Sequence, residues 1–499
     1  MEERLVNITS GPIRGLREGG VSKFLGVPYA AAPVGPNRFE LPKPHAPWTE
    51  VRDATQPGPN APQVVRDLGP LDPVPLVGAG WVKGDDFLSV NVWTPDEKAV
   101  GLPVMVFVHG GAFVVGSKDS PCTDGTRLAQ AGVVSININY RLGIEGFLPI
   151  PGVTPNLGLH DQLECFRWVK ANAAAFGGDP DNVTVFGESA GAMTVANLVA
   201  SPLAEGLFRR AIVESGHCGM VRKPSVAART VRAVAKLLKV RPTADGFRST
   251  SLEASLEAME ASQQPTFKLD LRDDTGLEPA FGLSKYLPVY GDAVLPEPPL
   301  QLLRKGVGSK VDLLIGTNLE EMNIYFEPLE VPKKVNGLLA WVLLGRSIRR
   351  AWRILKTYGM GRTVGGKRKS GGQAMTDAMT DLVFRSPARF MALAHQGRTH
   401  MYEFDYRSEA CGGRMGACHA LELPFVFKTL DTCKGPRGIA GDNPPQALAD
   451  RVQKVWVDFA RDGTFPAPEY TADTRQIYHL NVGRAVTDPP RAADAFLPR

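Results

Sequence analysis

The sequence predicts an α/β fold in which helices cover both faces of a central, mostly parallel sheet. Short apolar, β-branched runs recur along the chain, and most are bounded by Gly, Asn or Asp, as is typical of buried strands. A segment with helical spacing over 159–176 separates two of them. Strands that alternate with helices indicate a parallel sheet. The predicted strands are 104–108, 133–138, 183–186, 211–213 and 311–315.

Length and composition are those of a globular protein. The chain has 499 residues, of which 43% are apolar and 22% are charged, so a large buried core is possible. Its net charge of +5 comes from 57 basic and 52 acidic residues, a balance that gives no support to a nucleic-acid partner. Composition does not predict the oligomeric state, and a monomer and a weak dimer both stay open.

Two stretches break the strand–helix rhythm. We predict one domain spanning 1–499, with insertions near 57–82 and 326–390 that cover a pocket. Inside the second insertion, the apolar run 337–344 is predicted to pack in the core or, as the alternative, to form an apolar wall beside a pocket. The run 346–369 is basic and contains no acid, which indicates a solvated helix face or, as the alternative, a surface for an acidic partner or a membrane. Its Gly-rich end, 361–372, is predicted to be a loop.

Location follows from what the sequence lacks. The chain begins with two early acids, it has no apolar run of signal-peptide length, and no segment approaches the ~18 apolar residues of a membrane span. We therefore predict a cytoplasmic protein without a membrane span. Six cysteines with no C-x-x-C pair favour free thiols over a metal site.

The strongest chemical signal is the sequence FGESAGA over 186–192, which contains a G-x-S-x-G motif around Ser189. It follows a predicted strand and opens a segment of helical character, the context in which this motif carries a nucleophilic serine. A sharp turn there strains the backbone, so Gly187 and Gly191 are needed where a side chain would clash. Ser189 is the candidate nucleophile.

A second motif, HGGAF over 109–113, directly follows the predicted strand 104–108. In enzymes with a nucleophilic serine in a G-x-S-x-G motif, the loop at this position carries the N–H groups that bind an oxyanion. We predict that the N–H groups of Gly110, Gly111 and Ala190 form that site, in which losing one donor typically costs about 3 to 4 kcal/mol of transition-state stabilisation. His109 is predicted to orient the loop.

A serine hydroxyl becomes a good nucleophile only when a positioned imidazole removes its proton. The expected chain order is serine, acid, histidine, and five of the eight histidines follow Ser189. His419 is the best candidate because its loop of small residues, ahead of an apolar segment, lets the ring lean over the serine. His217 could line the site, but it precedes any plausible acid.

The acid that orients the imidazole is predicted at the end of the strand 311–315, where the sequence continues GTNLEEMN. Glu320 and Glu321 both stand in this turn. Spacing alone does not choose between them.

Further stretches resemble the type-B carboxylesterase and cholinesterase family, whose members have the α/β-hydrolase fold. The resemblance covers nearly the whole chain. It is carried by FLGVPY at 24–29, DDFLSVNV at 85–92, NYRLG at 139–143, FGGDPDNVT at 176–184 and FARDG at 459–463.

This resemblance implies that Glu321, rather than Glu320, is the acid. It also implies that Glu188, Ser215 and Glu422 support the imidazolium and an ordered water. Three positions depart from the family pattern. Phe87 replaces the cysteine of an early disulfide, Met322 replaces a glycine after the acid, and Ala420 replaces a glycine after the histidine.

Together these observations predict a serine carboxylesterase that hydrolyses small esters through an acyl-enzyme, using Ser189, His419 and Glu321. The resemblance implies no metal and no organic cofactor. An acyltransferase, or a lactone, carbamate or amide hydrolase, could use the same residues. A non-catalytic binding module of the same fold is a further alternative.

Overall fold

The computed structural model describes residues 2–264 and 269–498, and thirteen strands of this part form one sheet. Two more strands, β11 and β12, form a separate hairpin. The strands are β1 (Glu2–Ile8), β2 (Gly11–Glu18), β3 (Val21–Pro28), β4 (Arg52–Asp53), β5 (Ser89–Thr94), β6 (Leu102–Val108), β7 (Val134–Ile138), β8 (Gly178–Glu188), β9 (Arg210–Glu214), β10 (Asp312–Asn318), β11 (Thr363–Val364), β12 (Lys367–Arg368), β13 (Thr399–Phe404), β14 (Gln476–His479) and β15 (Arg484–Thr487).

The sheet is parallel at its centre and antiparallel at its edges. Its order is β1-β2-β3-β5-β7-β6-β8-β9-β10-β13-β14-β15, with β4 beside β2. Every neighbouring pair from β7 to β14 is parallel. The five strands predicted from the sequence are β6 to β10, all in this parallel part, so the predicted α/β class is confirmed.

Helices connect these strands, and the predicted helical segment 159–176 is confirmed as α4 with a 3₁₀ turn at Ala173–Phe176. The helices are α1 (Val74–Val77), α2 (Thr126–Gln130), α3 (Gly143–Phe147), α4 (Leu157–Asn172), α5 (Ala190–Val199), α6 (Pro224–Leu238), α7 (Ala244–Arg248), α8 (Leu252–Gln263), α9 (Pro299–Arg304), α10 (Asn323–Phe326), α11 (Val331–Lys334), α12 (Gly337–Gly345), α13 (Ala351–Thr357), α14 (Gly371–Met379), α15 (Ser386–Ala394), α16 (Leu423–Val426), α17 (Leu430–Cys433) and α18 (Gln446–Asp462).

Both faces of the central sheet are buried. Alternate residues of a strand point to opposite faces, so Val104, Val106 and Val108 of β6 pack in the core that includes α4 and α5. Met105 and Phe107 of the same strand pack in a second core, which includes α16 and α18. A strand covered on both faces needs an unbroken apolar sequence, which explains why β6 was predictable.

The insertion after β10 differs from its prediction in two places. Helix α12 buries Ala340 and Leu344, but Leu338, Leu339 and Trp341 are exposed, so the predicted core packing of 337–344 is wrong for this face. A helix that is apolar at every position gives no indication of which of its faces packs against the rest of the protein. The Gly-rich stretch predicted as a loop contains the β11–β12 hairpin and the start of α14. Among the described helices, none is long and apolar enough to cross a membrane.

A buried ion pair fixes the turn after β7. The Arg141 guanidinium donates to both carboxylate oxygens of Asp161, at 2.6 and 2.8 Å, and the Arg141 backbone N–H also donates to this carboxylate. Both side chains are almost fully buried. The preceding residue, Tyr140, donates from its hydroxyl to the backbone oxygen of His109 at 2.8 Å. The ion pair therefore helps to hold the loop that carries the HGGAF motif.

Candidate active site

Ser189 lies at the turn between β8 and α5, with φ 56° and ψ −124°. Its N–H donates to the backbone oxygen of Glu214, at the end of the neighbouring strand, at 2.9 Å. A Cβ on Gly187 would lie 2.7 Å from the backbone oxygen of Val108, and one on Gly191 only 2.0 Å from the same atom. Both positions therefore require glycine, for the steric reason that the motif suggests.

The HGGAF loop leaves β6 and turns directly beside this serine. Ala112 and Phe113 have positive φ values of 54° and 64°, and a Cβ on Gly110 would approach Glu188 Oε2 to 2.6 Å. Gly110 and Gly111 line the same cavity as Ser189. Ala190 is the first residue of α5, so its N–H has no acceptor within the helix. In the described part of the chain, none of these three N–H groups donates to another group.

His109 supports this loop from inside. Its ring stacks on Tyr140 with the centroids 4.5 Å apart, and its Nδ1–H donates to the backbone oxygen of Gly110 at 2.9 Å. Burial lowers the pKa of His109 to about 4, so the ring is neutral at pH 7. A neutral, stacked imidazole fits the predicted orienting role.

The structure brings His419 and Glu321 into contact. His419 Nδ1 lies 2.7 Å from Glu321 Oε2, and both side chains are buried. The other oxygen of Glu321 accepts from the backbone N–H of Asn318 at 2.7 Å and from the Ser215 hydroxyl at 2.8 Å. These three hydrogen bonds hold the Glu321 carboxylate so that its Oε2 faces the imidazole.

Glu320 points away from the imidazole. Its carboxylate accepts from the backbone N–H of Ala417 at 2.8 Å and pairs with Arg407 at 2.6 Å. Of the two adjacent glutamates, the one that reaches His419 is therefore Glu321, the choice that the family resemblance implies.

Glu188 approaches the other side of the imidazole. Its Oε1 lies 3.0 Å from His419 Nε2, and in the described part of the chain neither atom forms a hydrogen bond, so the contact is electrostatic. Burial alone would lower the pKa of His419. The charge of Glu188, assisted by Tyr325 and Glu321, outweighs burial and raises this pKa well above its usual value.

Two further carboxyl groups, those of Glu422 and Glu214, lie buried near His419 and Glu321. Burial, with the charges of Glu188 and Glu321, raises the pKa of Glu422 to about 8, although Asn318 donates to it. Burial and the neighbouring Glu422 also raise the pKa of Glu214 well above its usual value. The raised pKa values favour the protonated form of these carboxyl groups, which limits the negative charge around His419.

Sequence reasoning missed Glu214 and Tyr325. Glu214 is fully buried at the end of β9, beside Ser215, and accepts from the Trp456 indole at 2.9 Å. Its position could have indicated this from the sequence, because a charged residue here ends an apolar strand next to a residue already assigned to the site. Tyr325 lines the cavity together with Ser189, and its ring centroid lies 5.7 Å from that of His419, a placement that only the fold reveals.

A cavity of about 350 Å³ opens over Ser189 and His419. Val114 lines it, whereas Phe113 packs against Phe147 in the core. Phe326 and Leu343 line an adjoining cavity. The apolar lining comes largely from the predicted insertion 57–82 and the segments beyond it: Val64, Val65, Leu68, Pro73, Leu76, Val77, Val115, Leu283, Ile324, Ala420 and Leu423.

The remaining candidates lie outside this reaction centre. His217 accepts from the backbone N–H of Gly219 and binds the backbone oxygen of Val383 at 2.8 Å, so both ring nitrogens are occupied. Met322, which replaces the glycine that family members have after the acid, is buried and does not line the cavity over Ser189. Within 2–264 and 269–498, no group of three or more His, Cys, Asp or Glu side chains is arranged to hold a metal ion.

The parallel sheet, the serine turn at the end of β8 and the glycine loop at the end of β6 are the parts of an α/β-hydrolase. Residues 2–492 match the model of the carboxylesterase family, and the chain belongs to this family. Family members that act as esterases are carboxylic ester hydrolases that take small esters as substrates.

Named relatives include esterases and another hydrolase. The para-nitrobenzyl esterase of Bacillus subtilis is 35% identical over 99% of this chain and 98% of its own length. The phenmedipham hydrolase of Pseudarthrobacter oxydans is 31% identical over 92% of this chain and 90% of its own. A solved PNB esterase structure superposes with a TM-score of 0.84 at 33% identity, covering all of both chains.

The contact between Glu188 and His419 predicts a pH effect. His419 accepts a proton only while it is neutral, so activity falls as the pH drops below its pKa. Because the charge of Glu188 raises that pKa, the substitution Glu188→Gln is expected to move the acidic limb of kcat/KM to lower pH. Initial rates on a p-nitrophenyl ester, measured across the pH range, test this.

The matched control is Glu320→Gln, which removes the neighbouring carboxylate that pairs with Arg407 and does not contact His419. Its acidic limb should stay at the wild-type position. An unshifted limb in Glu188→Gln would contradict the electrostatic role of Glu188.

Proposed function

We propose that the chain hydrolyses carboxylic esters by two acyl-transfer steps with Ser189 as nucleophile. His419 takes the hydroxyl proton through Nε2 while Ser189 Oγ forms a bond to the ester carbonyl carbon. The N–H groups of Gly110, Gly111 and Ala190 hold the oxyanion. When the tetrahedral intermediate collapses, the alcohol leaves with the proton from His419, and Ser189 carries the acyl group.

The second step repeats the first with water. His419 removes a proton from a water molecule that attacks the acyl carbon, and Ser189 leaves as the hydroxyl when His419 returns the proton. Glu321 fixes the imidazole tautomer, and Glu188 favours the imidazolium that forms in each transition state. Ser215 and Glu422 support Glu321 from behind.

One observation carries this proposal. The buried imidazole of His419, held by Glu321 at 2.7 Å, lines the same apolar cavity as Ser189. The strained turn at Ser189 lies beside three backbone N–H groups that, among the described residues, have no hydrogen-bond acceptor. A base, a hydroxyl and free N–H donors placed together in this way are what a nucleophilic serine requires.

We further propose that the substrates are uncharged esters with an apolar acyl or alcohol group. The cavity wall is apolar along 57–82 and around Leu283 and Leu423. The ion pair of Arg66 with Glu260, at 2.9 Å, lies among the lining residues but is neutral as a pair. A charged substrate would lose its hydration in this cavity without gaining a partner.

We propose a cytoplasmic location as well. All six cysteines are free thiols, and five of them are buried. Free thiols persist in a reducing compartment. Cell fractionation tests this, because recovery of the protein in the secreted fraction would contradict it.

Substituting Ser189 by alanine removes the nucleophile but leaves the cavity. We expect kcat for p-nitrophenyl butyrate to fall by at least ~10⁴-fold, since the triad acts as a unit. Release of p-nitrophenol by purified protein is the measurement. The control is Ser249→Ala, an exposed serine that should keep wild-type activity.

Retention of activity in Ser189→Ala would refute the proposed nucleophile. Absence of turnover in the wild-type protein on every short and medium acyl ester would instead refute the esterase proposal.

A second substitution tests the cavity as the acyl site. Leu76 lines the cavity from α1, so Leu76→Trp fills part of it. We expect kcat/KM to fall about tenfold or more for p-nitrophenyl octanoate and much less for the acetate, because only the longer chain needs that space.

The control, Val74→Trp, changes an exposed residue of the same helix that does not line the cavity. Equal losses for acetate and octanoate in Leu76→Trp, or equal effects of the two tryptophans, would contradict this assignment.

A further inference from the structure

An exposed surface with an unusual combination of side chains lies on α12, α13 and the β11–β12 hairpin. We call it the apolar–basic face. Its apolar members are Leu338, Leu339, Trp341 and Trp352. Its basic members are Arg349, Arg350, Arg353, Lys356, Lys367 and Arg368.

The apolar members are large and open to solvent. Leu338 is 64% exposed, Leu339 and Trp341 are each 44% exposed, and Trp352 is 48% exposed. The two indole rings meet edge to face with their centroids 6.4 Å apart, so α12 and α13 present one joined patch. Single exposed apolar residues are ordinary, but a cluster of this kind marks an interaction site.

The basic members surround this patch without acidic partners. In the described parts of the chain, none of the six forms an ion pair, and the one acid that lines the groove with Trp341 and Arg349, Asp270, is paired with Arg272. Lys356 places its ammonium 5.4 Å from the centre of the Trp352 ring, and Arg349 lines the same groove as Trp341. Cations and indoles therefore stand side by side.

We propose that the apolar–basic face docks on a bilayer surface that contains anionic phospholipids. Lysine and arginine beside a membrane attract the anionic headgroups, while leucine and tryptophan enter the boundary between headgroups and acyl chains. Tryptophan in particular favours this boundary, because its ring is apolar and its N–H is polar.

The length of α12 decides how the contact is made. Its nine residues rise about 14 Å at 1.5 Å per residue, which is less than half of the ~30 Å hydrocarbon core. The helix therefore lies in the surface and does not cross it. An acidic soluble protein would use the cations but would leave Leu338, the most exposed of the four apolar side chains, without a matching environment.

The opposite side of α12 points toward the interior. The buried Leu344 on this side lines a cavity that shares Gln263 and Gly282 with the cavity over Ser189. Docking would thus hold the ester site near a source of lipid-soluble esters. This consequence rests on the proposed function, whereas the docking itself does not.

Sedimentation with vesicles tests the docking. The full chain is mixed with phosphatidylcholine vesicles, with or without phosphatidylglycerol, at low salt. We expect binding to the anionic vesicles, little binding to the neutral ones, and release at about 1 M salt, where the Debye length is about 3 Å. The Ser189→Ala protein should bind as the wild type does, so a failure of the esterase proposal would not affect the result.

Two double variants locate the contact. Arg349→Glu with Arg353→Glu should weaken binding at least about tenfold, because each surface cation contributes to the attraction. Leu338→Asp with Leu339→Asp should weaken it to a similar degree through lost insertion and added repulsion. Activity on soluble p-nitrophenyl acetate, which these exposed positions should not change, verifies folding.

Matched controls carry the same changes elsewhere. Lys98→Glu with Arg209→Glu reverses two exposed cations that precede β6 and β9, at the sheet edge opposite the site. Leu5→Asp with Val100→Asp alters two exposed apolar residues. Both control proteins should bind like the wild type.

Three results would overturn the proposal. They are no binding of the wild type to anionic vesicles, equal binding to neutral vesicles, and losses in the control pairs as large as those in the variants of the face. Absence of binding to anionic vesicles would point to an acidic soluble partner for these cations. Equally large losses in the control pairs would show that binding depends on net charge alone.

Discussion

The backbone at Ser189 is held in a conformation that costs a non-glycine residue of order 1–3 kcal/mol. The surrounding structure enforces it: the serine N–H bonds the end of β9, and two glycines allow α5 to pass against β6. The rest of the site depends on this turn, because it brings Ser189 to the cavity wall, leaves the first N–H of α5 without an acceptor in the helix, and places Glu188 beside the imidazole. The parallel order of β6, β8 and β9 brings these chain ends to one edge.

Charge is the second constraint. Four buried carboxyl groups stand around one imidazole, and burial alone would make such a cluster unstable if all were ionised. The structure reduces this repulsion because burial raises the pKa of Glu214 and of Glu422 and so favours their protonated forms, while Glu321 has three hydrogen-bond partners. The remaining charges favour imidazolium. The same arrangement that stabilises the folded core therefore stabilises the charge that forms on His419 during the proposed reaction.

The sequence predicted the parts of this site that depend on local geometry. The turn at Ser189 and the glycine loop are coded by short motifs with a steric reason, and the unbroken apolar runs of β6 to β10 reflect burial on both faces. The choice of Glu321 over Glu320 needed the family resemblance, because adjacent residues of a turn differ only in direction. Glu214 and Tyr325 reach the site through tertiary packing, which no local pattern encodes. Helix α12 was misjudged because its sequence is apolar all round.

Mass spectrometry after reaction with diisopropyl fluorophosphate tests the central claim, that Ser189 is a nucleophile activated by its fold. The reagent phosphorylates an activated serine and leaves ordinary serines unchanged. We predict one phosphoryl group per chain, on the peptide that contains Ser189, and no labelling after denaturation before reaction. An intact protein that stays unlabelled, or that is labelled on another residue, would contradict the account.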